Sequence, residues 1–397
     1  MFASFICIVI FSLMPAPNNP AHPKLFGHAI DNNDGRQALD ASMTSVSWWG
    51  GTIIRPLPVP LDKAHYPEFV KLGNVVSAWN PDQPDPPKVF RETLQHFNYS
   101  NRAERAMAEE YRNAELPFKV YNVPEFDRIA NKWTDGYLSE EFRKMGAVHV
   151  ERSDNNHFMY WTLKGGRDAN GYVPPTEILH DMNFDEWVEI AKAADLTRLA
   201  NTTDHYYLMA SSAPGDRGRS FIARDLKKFS TDKANFFITN TRANKGIQCR
   251  LAMRGVISEA HYDSGRNSVL MLRGVKRYII NPPAACKSLK LIKDIDHPSY
   301  RHSVIDWSDP GQAEAFGFNH VDAIDTLVRA GEVLYIPSYW NHYIIALLYS
   351  TQCNSRSGSP PNEEGLAEIE DCMGRRSSKS KKRSLGSGEK QMRGAAQ

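Results

Sequence analysis

The sequence predicts a mainly β protein with helices, in which a double-stranded β-helix core carries helical additions on its N-terminal side. Three observations favour this fold class. Helical patterns occur in the first half of the chain, and many short apolar strand patterns follow them. The composition, 41% hydrophobic and 24% charged residues, is typical of a globular protein with a sizeable core. The length of 397 residues fits a single decorated barrel as well as two or three domains.

The chain begins with a hydrophobic, signal-like segment that we assign to residues 1–21. Residues 2–14 read FASFICIVIFSLM, a run that is too short for a membrane-spanning helix and typical of the apolar region of a signal peptide. No Lys or Arg precedes this run, and the first basic residue is Lys24. The segment slightly favours the secretory pathway, and an uncleaved anchor or a buried start are the alternatives.

Residues 22–112 are expected to form a proline-rich arm followed by a helix. Prolines cluster at positions 56–60 and 81–87, and proline fixes φ and removes a backbone donor, so irregular structure is expected there. The arm would wrap the barrel or stay mobile. A helix is predicted from Asn101 to Leu116, with Glu104 at the capping-box spacing from Asn101. It would cover the barrel or help to form a homodimer.

The main domain is assigned to residues 113–358, and its pattern changes from mixed to strand-rich. In its first part we predict strands at 117–122 and 147–151 and helices at 126–133, 139–145 and 184–194, the last capped by Asn183. In its second part we predict strands at 206–210, 236–239, 248–253, 332–336 and 343–348, and a hairpin of 268–272 with 275–280 that turns at Arg273-Gly274. Residues 284–330 are expected to be loop-rich.

Three residues of metal-binding type lie in this strand-rich part. His261 and Asp263 are two residues apart, so on a β-strand both side chains point to the same face. His342 closes the set, at the end of the stretch GEVLYIPSYWNH over 331–342. Two imidazoles and one carboxylate that leave coordination positions open are typical of the facial triad of non-haem Fe(II) oxygenases. An isolated H-x-D is usually chance, so the inference depends on the complete set.

Lys276 adds a cation close to this set. It follows His261 by fifteen residues, after the predicted turn. A hairpin would bring its ammonium back alongside the metal-bearing strand. There it could hold the distal carboxylate of a cosubstrate whose other end chelates the metal.

These motifs resemble those of the JmjC-type, cupin-like (jelly-roll) 2-oxoglutarate oxygenases, particularly the small hydroxylase branch that includes the asparaginyl hydroxylase of hypoxia signalling. That branch carries H-x-D, a Lys at this separation and a distal His. The second half is also similar to the cupin pattern G-x5-P-x-G-x2-H, with Tyr339 in place of the inner Gly. The resemblance extends roughly from Pro117 to Gly358 and includes HFMYW at 157–161 and FDEWVEIA at 184–191.

The resemblance implies an Fe(II)- and 2-oxoglutarate-dependent dioxygenase, most simply one that hydroxylates a protein side chain with dioxygen and releases succinate and CO2. His261, Asp263 and His342 would bind Fe(II) and form the catalytic centre. Arg356 stands where some relatives carry an aromatic residue, and this is one departure from the family pattern.

The resemblance also implies a binding site for 2-oxoglutarate. Lys276 would pair with its C5 carboxylate, supported by Ser258 and by Tyr207. Asn267 and Asn354 would lie near the C1 carboxylate end. Ser258 stands where the family often has Thr, and the neighbouring Tyr206 could take the place of Tyr207.

Four alternatives remain open. A non-catalytic JmjC-like protein could hold metal or ligand for interaction only, although loss of a triad residue or of Lys276 would favour that class and neither is lost. Demethylation of a methylated lysine and hydroxylation of an RNA base use the same chemistry. Another cupin activity, such as a metal-dependent isomerase, would not need Lys276.

Residues 359–397 are predicted to form a basic, disordered tail. Eight basic residues and one acidic residue lie between Arg375 and Gln397, so this stretch has a net charge of +7. Because the whole chain has a net charge of +2, the rest of it carries about −5. That balance argues against a basic nucleic-acid-binding body, and we identify no DNA-binding module. KSKKR at 379–383 could be a nuclear signal, an RNA contact or a solvated tail, so the cytoplasm or nucleus is the alternative to secretion.

The cysteines do not define a compartment by their spacing. None of the five forms C-x-x-C, and the spacing matches neither a zinc module nor a dense disulfide scaffold. Cys7 would leave with a signal peptide. The expectation for the other four is free thiols, at Cys249, Cys286, Cys353 and Cys372.

Overall fold

The structure is a computed structural model that describes residues 43–48, 51–146, 148–162, 171–197, 203–360 and 365–374. The predicted signal-like segment 1–21 and most of the predicted tail lie outside the described residues. Within these ranges, none of the helices combines the length and the apolar character that a membrane span requires.

The described chain alternates short helices with many strands. In chain order, the strands are β1 (Met43–Trp48), β2 (Gly51–Pro56), β3 (Val70–Lys71), β4 (Val89–Arg91), β5 (His96–Asn98), β6 (Phe118–Tyr121), β7 (His149–Ser153), β8 (His157–Phe158), β9 (Glu177–Leu179), β10 (His205–Ser212), β11 (Asn244–Ala252), β12 (Ile257–Tyr262), β13 (Asn267–Arg273), β14 (Val275–Asn281), β15 (Asp322–Arg329), β16 (Val333–Ile336), β17 (Asn341–Ala346) and β18 (Ser350–Ser357). The helices are α1 (Leu72–Ala78), α2 (Arg102–Asn113), α3 (Pro124–Lys132), α4 (Asp135–Met145), α5 (Phe184–Leu196), α6 (Phe221–Asp225), α7 (Pro310–Ala315) and α8 (Leu366–Cys372).

Two large sheets face each other and form the barrel. One has nine strands in the order β5-β6-β16-β13-β18-β11-β10-β7-β9, and the other has six in the order β3-β15-β14-β17-β12-β8. Apolar side chains from both sheets meet between them, such as Val269 and Met271 of β13 and Tyr278 and Ile280 of β14. The predicted mainly β fold with a double-stranded β-helix core is therefore confirmed.

A second apolar layer separates the nine-stranded sheet from helices α2 to α6. In α5, Trp187 and Val188 are buried in this layer. Asn183 begins α5 with a complete capping box, because its side chain accepts from the Glu186 N–H and the Glu186 side chain accepts from the Asn183 N–H. The predicted helix at 184–194 is confirmed and continues to Leu196.

Residues 43–48 and 51–98 contain strands and a helix, so the prediction that this segment is irregular is wrong, although the segment does lie along the barrel, one of the two arrangements expected for the arm. β1, β2 and β4 form a three-stranded sheet, and β3 and β5 add one edge strand to each large sheet. α1 buries Leu72, Val75 and Val76 in the same apolar cluster as Ile279 of β14. The prolines allow this pairing because, apart from Pro56 at the end of β2, they lie between the strands.

Buried charges attach this segment to the barrel. Glu92 and Lys119 of β6 form an ion pair of 2.7 Å, and each side chain is 1% exposed. Arg277 of β14 donates to Asp325 and to the backbone carbonyl of Trp79. Because a desolvated charge without its partner is strongly unfavourable, these contacts hold the segment against the barrel.

The predicted hairpin of β13 and β14 is wrong, although its turn is present. Gly274 has a φ of 69°, and a Cβ there would approach the Tyr349 carbonyl oxygen to 2.4 Å, so the turn requires glycine. The turn carries the chain from one sheet to the other. β13 pairs with β16 and β18, whereas β14 pairs with β15 and β17.

One strand prediction and one loop prediction also need correction. Residues 236–239 are not a strand, because the Asn235 side chain accepts hydrogen bonds from the N–H groups of Phe237 and Ile238 and forms a turn. Residues 284–330 contain more regular structure than expected. They include α7 and β15, and β15 pairs with β14 inside the six-stranded sheet.

The boundary predicted for the disordered tail, residue 359, lies too early. α8 follows it and packs Ile369 and Met373 into the apolar cluster outside the six-stranded sheet. Leu366, Ile369 and Met373 lie on one helix face at spacings of three and four. The Ser-, Gly- and Lys-rich composition around them obscures this short pattern.

The four cysteines of the barrel pair in two disulfides, so the expectation of free thiols is wrong. Cys249 of β11 lies directly opposite Cys353 of β18 and bonds to it. Cys286 bonds to Cys372 at the end of α8. The partners are 104 and 86 residues apart in sequence, so both bonds close long loops of the chain.

Removal of the second disulfide is expected to destabilise the protein. A cross-link that closes a long loop restricts the unfolded chain and typically contributes about 2–4 kcal/mol. The double variant Cys286→Ala/Cys372→Ala should lower the free energy of unfolding by about that amount in urea titrations. Reductant should then lower the Tm of the double variant less than that of the wild type, because one bond remains to be broken. Equal unfolding midpoints for variant and wild type would contradict a structural role for this bond.

Candidate metal centre

Three side chains of metal-binding type meet between the two sheets. His261 lies on β12, Asp263 directly follows that strand, and His342 lies on β17, which pairs with β12. Their ligand atoms all lie within 4.8 Å of one another, and Asp263 Oδ2 is 4.0 Å from His342 Nε2. Among the described residues, these three form a group of His, Cys, Asp or Glu side chains that are close enough to share a metal ion.

A β-bulge in β12 directs its side chains into the barrel. Ser258 pairs with Ile344 and His261 pairs with His342, so three residue steps on β12 lie opposite two on β17. The extra residue interrupts the strict alternation of faces. Ser258 and His261 therefore both line the interior cavity, although their odd spacing would place them on opposite faces of a regular strand.

Both imidazoles present an unprotonated Nε2. His261 Nδ1 lies 2.8 Å from the Glu259 carbonyl oxygen, and His342 Nδ1 lies 3.1 Å from the Trp340 carbonyl oxygen. A carbonyl only accepts, so each Nδ1 carries the proton and each Nε2 is free for a metal. Burial lowers the pKa of both imidazoles, so they are neutral at neutral pH and do not need to lose a proton to bind.

Asp263 keeps its negative charge in this buried position. Burial alone would raise the pKa of the carboxyl group, but the Arg356 guanidinium and the neighbouring imidazoles hold the pKa well below its usual range. Arg356 Nη1 donates to Asp263 Oδ1, and Asn267 Nδ2 donates to Oδ2 at 3.3 Å. The carboxylate can therefore offer one oxygen to a metal while its other oxygen stays paired with Arg356.

Tyr339 joins the two halves of the site through its backbone. Its N–H donates to the Asp263 carbonyl oxygen at 2.7 Å, and its φ is 68°, in the left-handed region. This is the position at which the cupin pattern has glycine, the residue that adopts such a φ without strain. Tyr339 keeps the backbone conformation of the pattern despite its side chain, which packs in the outer apolar cluster.

A cavity of about 380 Å³ opens beside the three ligands, and the predicted cosubstrate residues form two groups around it. Next to Asp263, Asn354 Nδ2 donates to Asn267 Oδ1 at 2.9 Å. In the other group, Ser258 Oγ lies 3.4 Å from Tyr207 Oη. The structure thus brings together the residues that the sequence assigns to each end of the cosubstrate.

Lys276 lies next to the second group but is not one of the residues that line the cavity. Its ammonium lies 5.3 Å from the centroid of the Tyr207 ring, and the residue is 1% exposed. No carboxylate of the described residues pairs with it, and burial together with the positive charge of Arg250 lowers its pKa to about 7. β17 separates its strand β14 from β12, so Lys276 does not lie on the neighbour of the His261 strand as the hairpin predicted, but on the neighbour of the His342 strand β17.

Several residues of the cavity were not predicted. Arg250 of β11 lies opposite Gln352 of β18, and Tyr278 Oη donates to Gln352 Oε1 at 2.5 Å. Arg301 and His302 come from the connection between the two halves and line the same cavity. Polar residues at alternate positions of apolar strands are a signal that could have identified Arg250 and Gln352. The residues of the connection have no such periodic signal.

His302 packs against the side of the His261 ring. Its ring stacks on that of His261 with centroids 4.7 Å apart and an angle of 21° between the planes. A single antiparallel bridge also joins the backbones of these two residues. His302 therefore limits the orientations that the His261 ring can adopt.

A double-stranded β-helix with two imidazoles and one carboxylate directed into its interior defines a barrel protein with a candidate metal centre. A family model described as a cupin-like domain matches residues 103–358. The chain belongs to this cupin-like family. The matched region begins at α2 and includes all three candidate ligands and Lys276.

Proposed function

We propose that this chain is an Fe(II)- and 2-oxoglutarate-dependent dioxygenase that hydroxylates a protein side chain. One observation carries the proposal. The candidate metal ligands line a cavity that Tyr207 also lines, and a buried lysine that lacks a counter-charge among the described residues has its ammonium 5.3 Å from the Tyr207 ring. The sequence resemblance to the small hydroxylase branch supports the same activity.

The donor set fits iron. Two neutral imidazole nitrogens and one carboxylate oxygen suit Fe(II), and three protein ligands leave positions for other ligands. When bound, iron with 2-oxoglutarate and dioxygen supplies the oxidation of a C–H bond, with succinate and CO2 as co-products. The neutral imidazoles and the ionised Asp263 are in the protonation states that metal binding needs.

The fit for 2-oxoglutarate depends on Lys276. Its buried ammonium would gain a counter-charge from the C5 carboxylate, and Ser258 and Tyr207 would donate hydrogen bonds beside it. Asn267 and Asn354 would orient the C1 end next to the metal ligands. A metal-dependent isomerase would leave Lys276 as a buried charge without a role.

We also infer that the protein works in an oxidising compartment. One disulfide joins two strands of the barrel and the other joins the barrel to α8, and disulfides of this kind persist in secreted and periplasmic proteins. This supports the secretory route suggested by the hydrophobic start of the sequence over the cytoplasm or nucleus.

The direct test is succinate formation by the purified protein with Fe(II), ascorbate and 2-oxoglutarate. We expect turnover in the wild type and none in His342→Ala, because the variant loses one of three metal ligands. The exposed His320 offers a matched control, and His320→Ala should behave as wild type. Equal turnover in wild type and His342→Ala would contradict the proposal. Binding of iron and 2-oxoglutarate without succinate formation, in the presence or absence of peptides, would instead favour the non-catalytic binding class.

A further inference from the structure

Two arginines line the cavity next to the metal ligands. Arg301 Nη1 lies 4.0 Å from Asp263 Oδ1, and Arg356 Nη1 donates to the same oxygen. Their side chains are 27% and 31% exposed, whereas that of His342 is 3% exposed. The two guanidinium groups therefore lie between the buried ligands and the solvent, where a substrate must pass.

Among the residues that the structure describes, few side-chain donors of these two arginines have a hydrogen-bond partner. A guanidinium group has five N–H donors, and a carboxylate oxygen can accept only a few hydrogen bonds. Among the described residues, Asp263 is the acidic partner of both Arg301 and Arg356. Unsatisfied guanidinium donors that face a cavity are suited to a second oxyanion, which they can bind with paired hydrogen bonds.

The local charge favours the same kind of ligand. Two guanidinium charges and a divalent metal would surround the single charge of Asp263. Even after one carboxylate of the cosubstrate is counted, this side of the cavity retains an excess of about two positive charges. Such an excess attracts anions and disfavours cationic side chains, because the low dielectric of a cavity strengthens both effects.

The backbone at Arg301 indicates that its position is held by the surrounding fold. Arg301 has a φ of 77°, which is unfavourable for a residue with a side chain. Hydrogen bonds fix the segment on both sides, from the Arg301 N–H to the Ile292 carbonyl at 3.1 Å and from the Ser303 N–H to the Ala260 carbonyl at 2.7 Å. Strain that the surrounding structure maintains is concentrated at functional sites.

We propose that Arg301 and Arg356 bind an oxyanion on the substrate, so that the preferred substrate is a peptide segment with a carboxylate or phosphate side chain next to the oxidised residue. This inference rests on the proposed function, because it assigns the substrate class of the same site. Arg356 has two roles in it, as the partner of Asp263 and as a substrate contact. Arg301 is 4.0 Å from Asp263 and serves mainly the substrate.

The test is a selection that does not depend on turnover. Protein loaded with Mn(II) and 2-oxoglutarate without oxygen is immobilised, and a randomised nonapeptide library that includes phosphoserine is passed over it. Bound peptides are sequenced by mass spectrometry. We expect Asp and Glu, or phosphoserine, to be enriched about tenfold over Asn and Gln at one position, as one charge-assisted contact would give. Which of the two anions is enriched distinguishes a carboxylate from a phosphate substrate.

Variants assign the preference to the two arginines. Arg301→Gln and Arg356→Gln should each reduce the enrichment about tenfold. Arg356→Lys should restore part of it, because lysine keeps the positive charge but lacks the paired N–H donors of the guanidinium group. Arg242, which lies in a separate cavity, provides the matched control Arg242→Gln, and this variant should select the same peptides as wild type. Bound metal and 2-oxoglutarate are measured in every sample.

Each outcome has a definite meaning. Acid enrichment that survives in both Gln variants, retention of peptides without acid preference, or no retained peptide at all would overturn the inference. If wild type binds metal and 2-oxoglutarate in those cases, the proposed function stands and only the substrate class fails. If wild type binds neither, the proposed function itself fails.

Discussion

Asp263→Ala is expected to abolish metal binding and 2-oxoglutarate turnover while the barrel remains folded. The variant loses the only carboxylate among the three candidate ligands and leaves Arg301 and Arg356 without their shared counter-charge. Two positive groups next to two imidazoles would repel a divalent cation. The fold should persist because Asp263 is held through its backbone carbonyl, which still accepts from the Tyr339 N–H. The measurements are iron content after dialysis, succinate formation and circular dichroism.

The same variant has a defined pH dependence in the metal-free protein. The pKa of Asp263 is lower in the folded state than in the unfolded chain, so its carboxylate stabilises the fold above the unfolded pKa of about 3.9. The stability difference between wild type and Asp263→Ala should therefore be present at neutral pH and shrink as the pH falls below about 4. Asp322 is a control with an exposed carboxylate, and Asp322→Ala should keep full iron content. Wild-type iron content in Asp263→Ala would remove Asp263 from the metal site.

The sequence predicts which three side chains of metal-binding type meet, whereas it predicts little of the strand pairing around them. The spacing of His261 and Asp263 predicts two side chains on the same side of an extended chain, and this depends only on local geometry. The helix at 184–194 and its cap could be predicted for the same reason, because the capping box and the apolar stripe are local.

Strand pairing could not be predicted, because it is decided by distant parts of the chain. β13 and β14 are adjacent in sequence and rich in the same apolar residues, but each is buried against strands more than forty residues away. The bulge that turns Ser258 and His261 to the same side arises from the pairing with β17. Composition and periodicity contain no information about such partners.

The errors at the two ends of the domain have a similar origin. Glu92 in the N-terminal segment is charged, yet it is buried because Lys119 provides its counter-charge at 2.7 Å. Cys372 lies in a polar stretch, yet it is fixed by the bond to Cys286. A local pattern shows polarity, whereas burial depends on a partner that only the folded chain supplies.

Lys276→Met is expected to stabilise the metal-free protein and to abolish the binding of 2-oxoglutarate. A buried ammonium without a carboxylate partner among the described residues destabilises the fold, and an apolar side chain of similar length removes that penalty. Replacing buried charged groups by well-packed apolar residues is often neutral or stabilising, by up to about 4 kcal/mol. Urea titration measures the first effect, and calorimetric titration with 2-oxoglutarate measures the second. The exposed Lys293 is a matched control, because Lys293→Met should change neither quantity.

The pH dependence separates this explanation from simple improved packing. Burial lowers the pKa of Lys276 to about 7, whereas in the unfolded chain it has its ordinary value near 10.4. Between these values the unfolded chain binds more protons, so wild-type stability should rise with pH from about 7 to 10. The advantage of Lys276→Met should be largest below pH 7 and shrink across that range. Improved packing alone would give an advantage that does not depend on pH.

Ligand binding should show the opposite trend in the wild type. A carboxylate next to Lys276 favours the ammonium form, so above pH 7 the protein must take up a proton when 2-oxoglutarate binds, and its affinity should fall as the pH rises. Proton uptake is measured by calorimetric titration in buffers of different ionisation enthalpy. A stabilised Lys276→Met variant that no longer binds 2-oxoglutarate would show that the buried lysine is present for its ligand, at the expense of the stability of the empty barrel. A destabilised variant that still binds 2-oxoglutarate would place the cosubstrate carboxylate elsewhere in the cavity, with Arg250 as the next candidate cation.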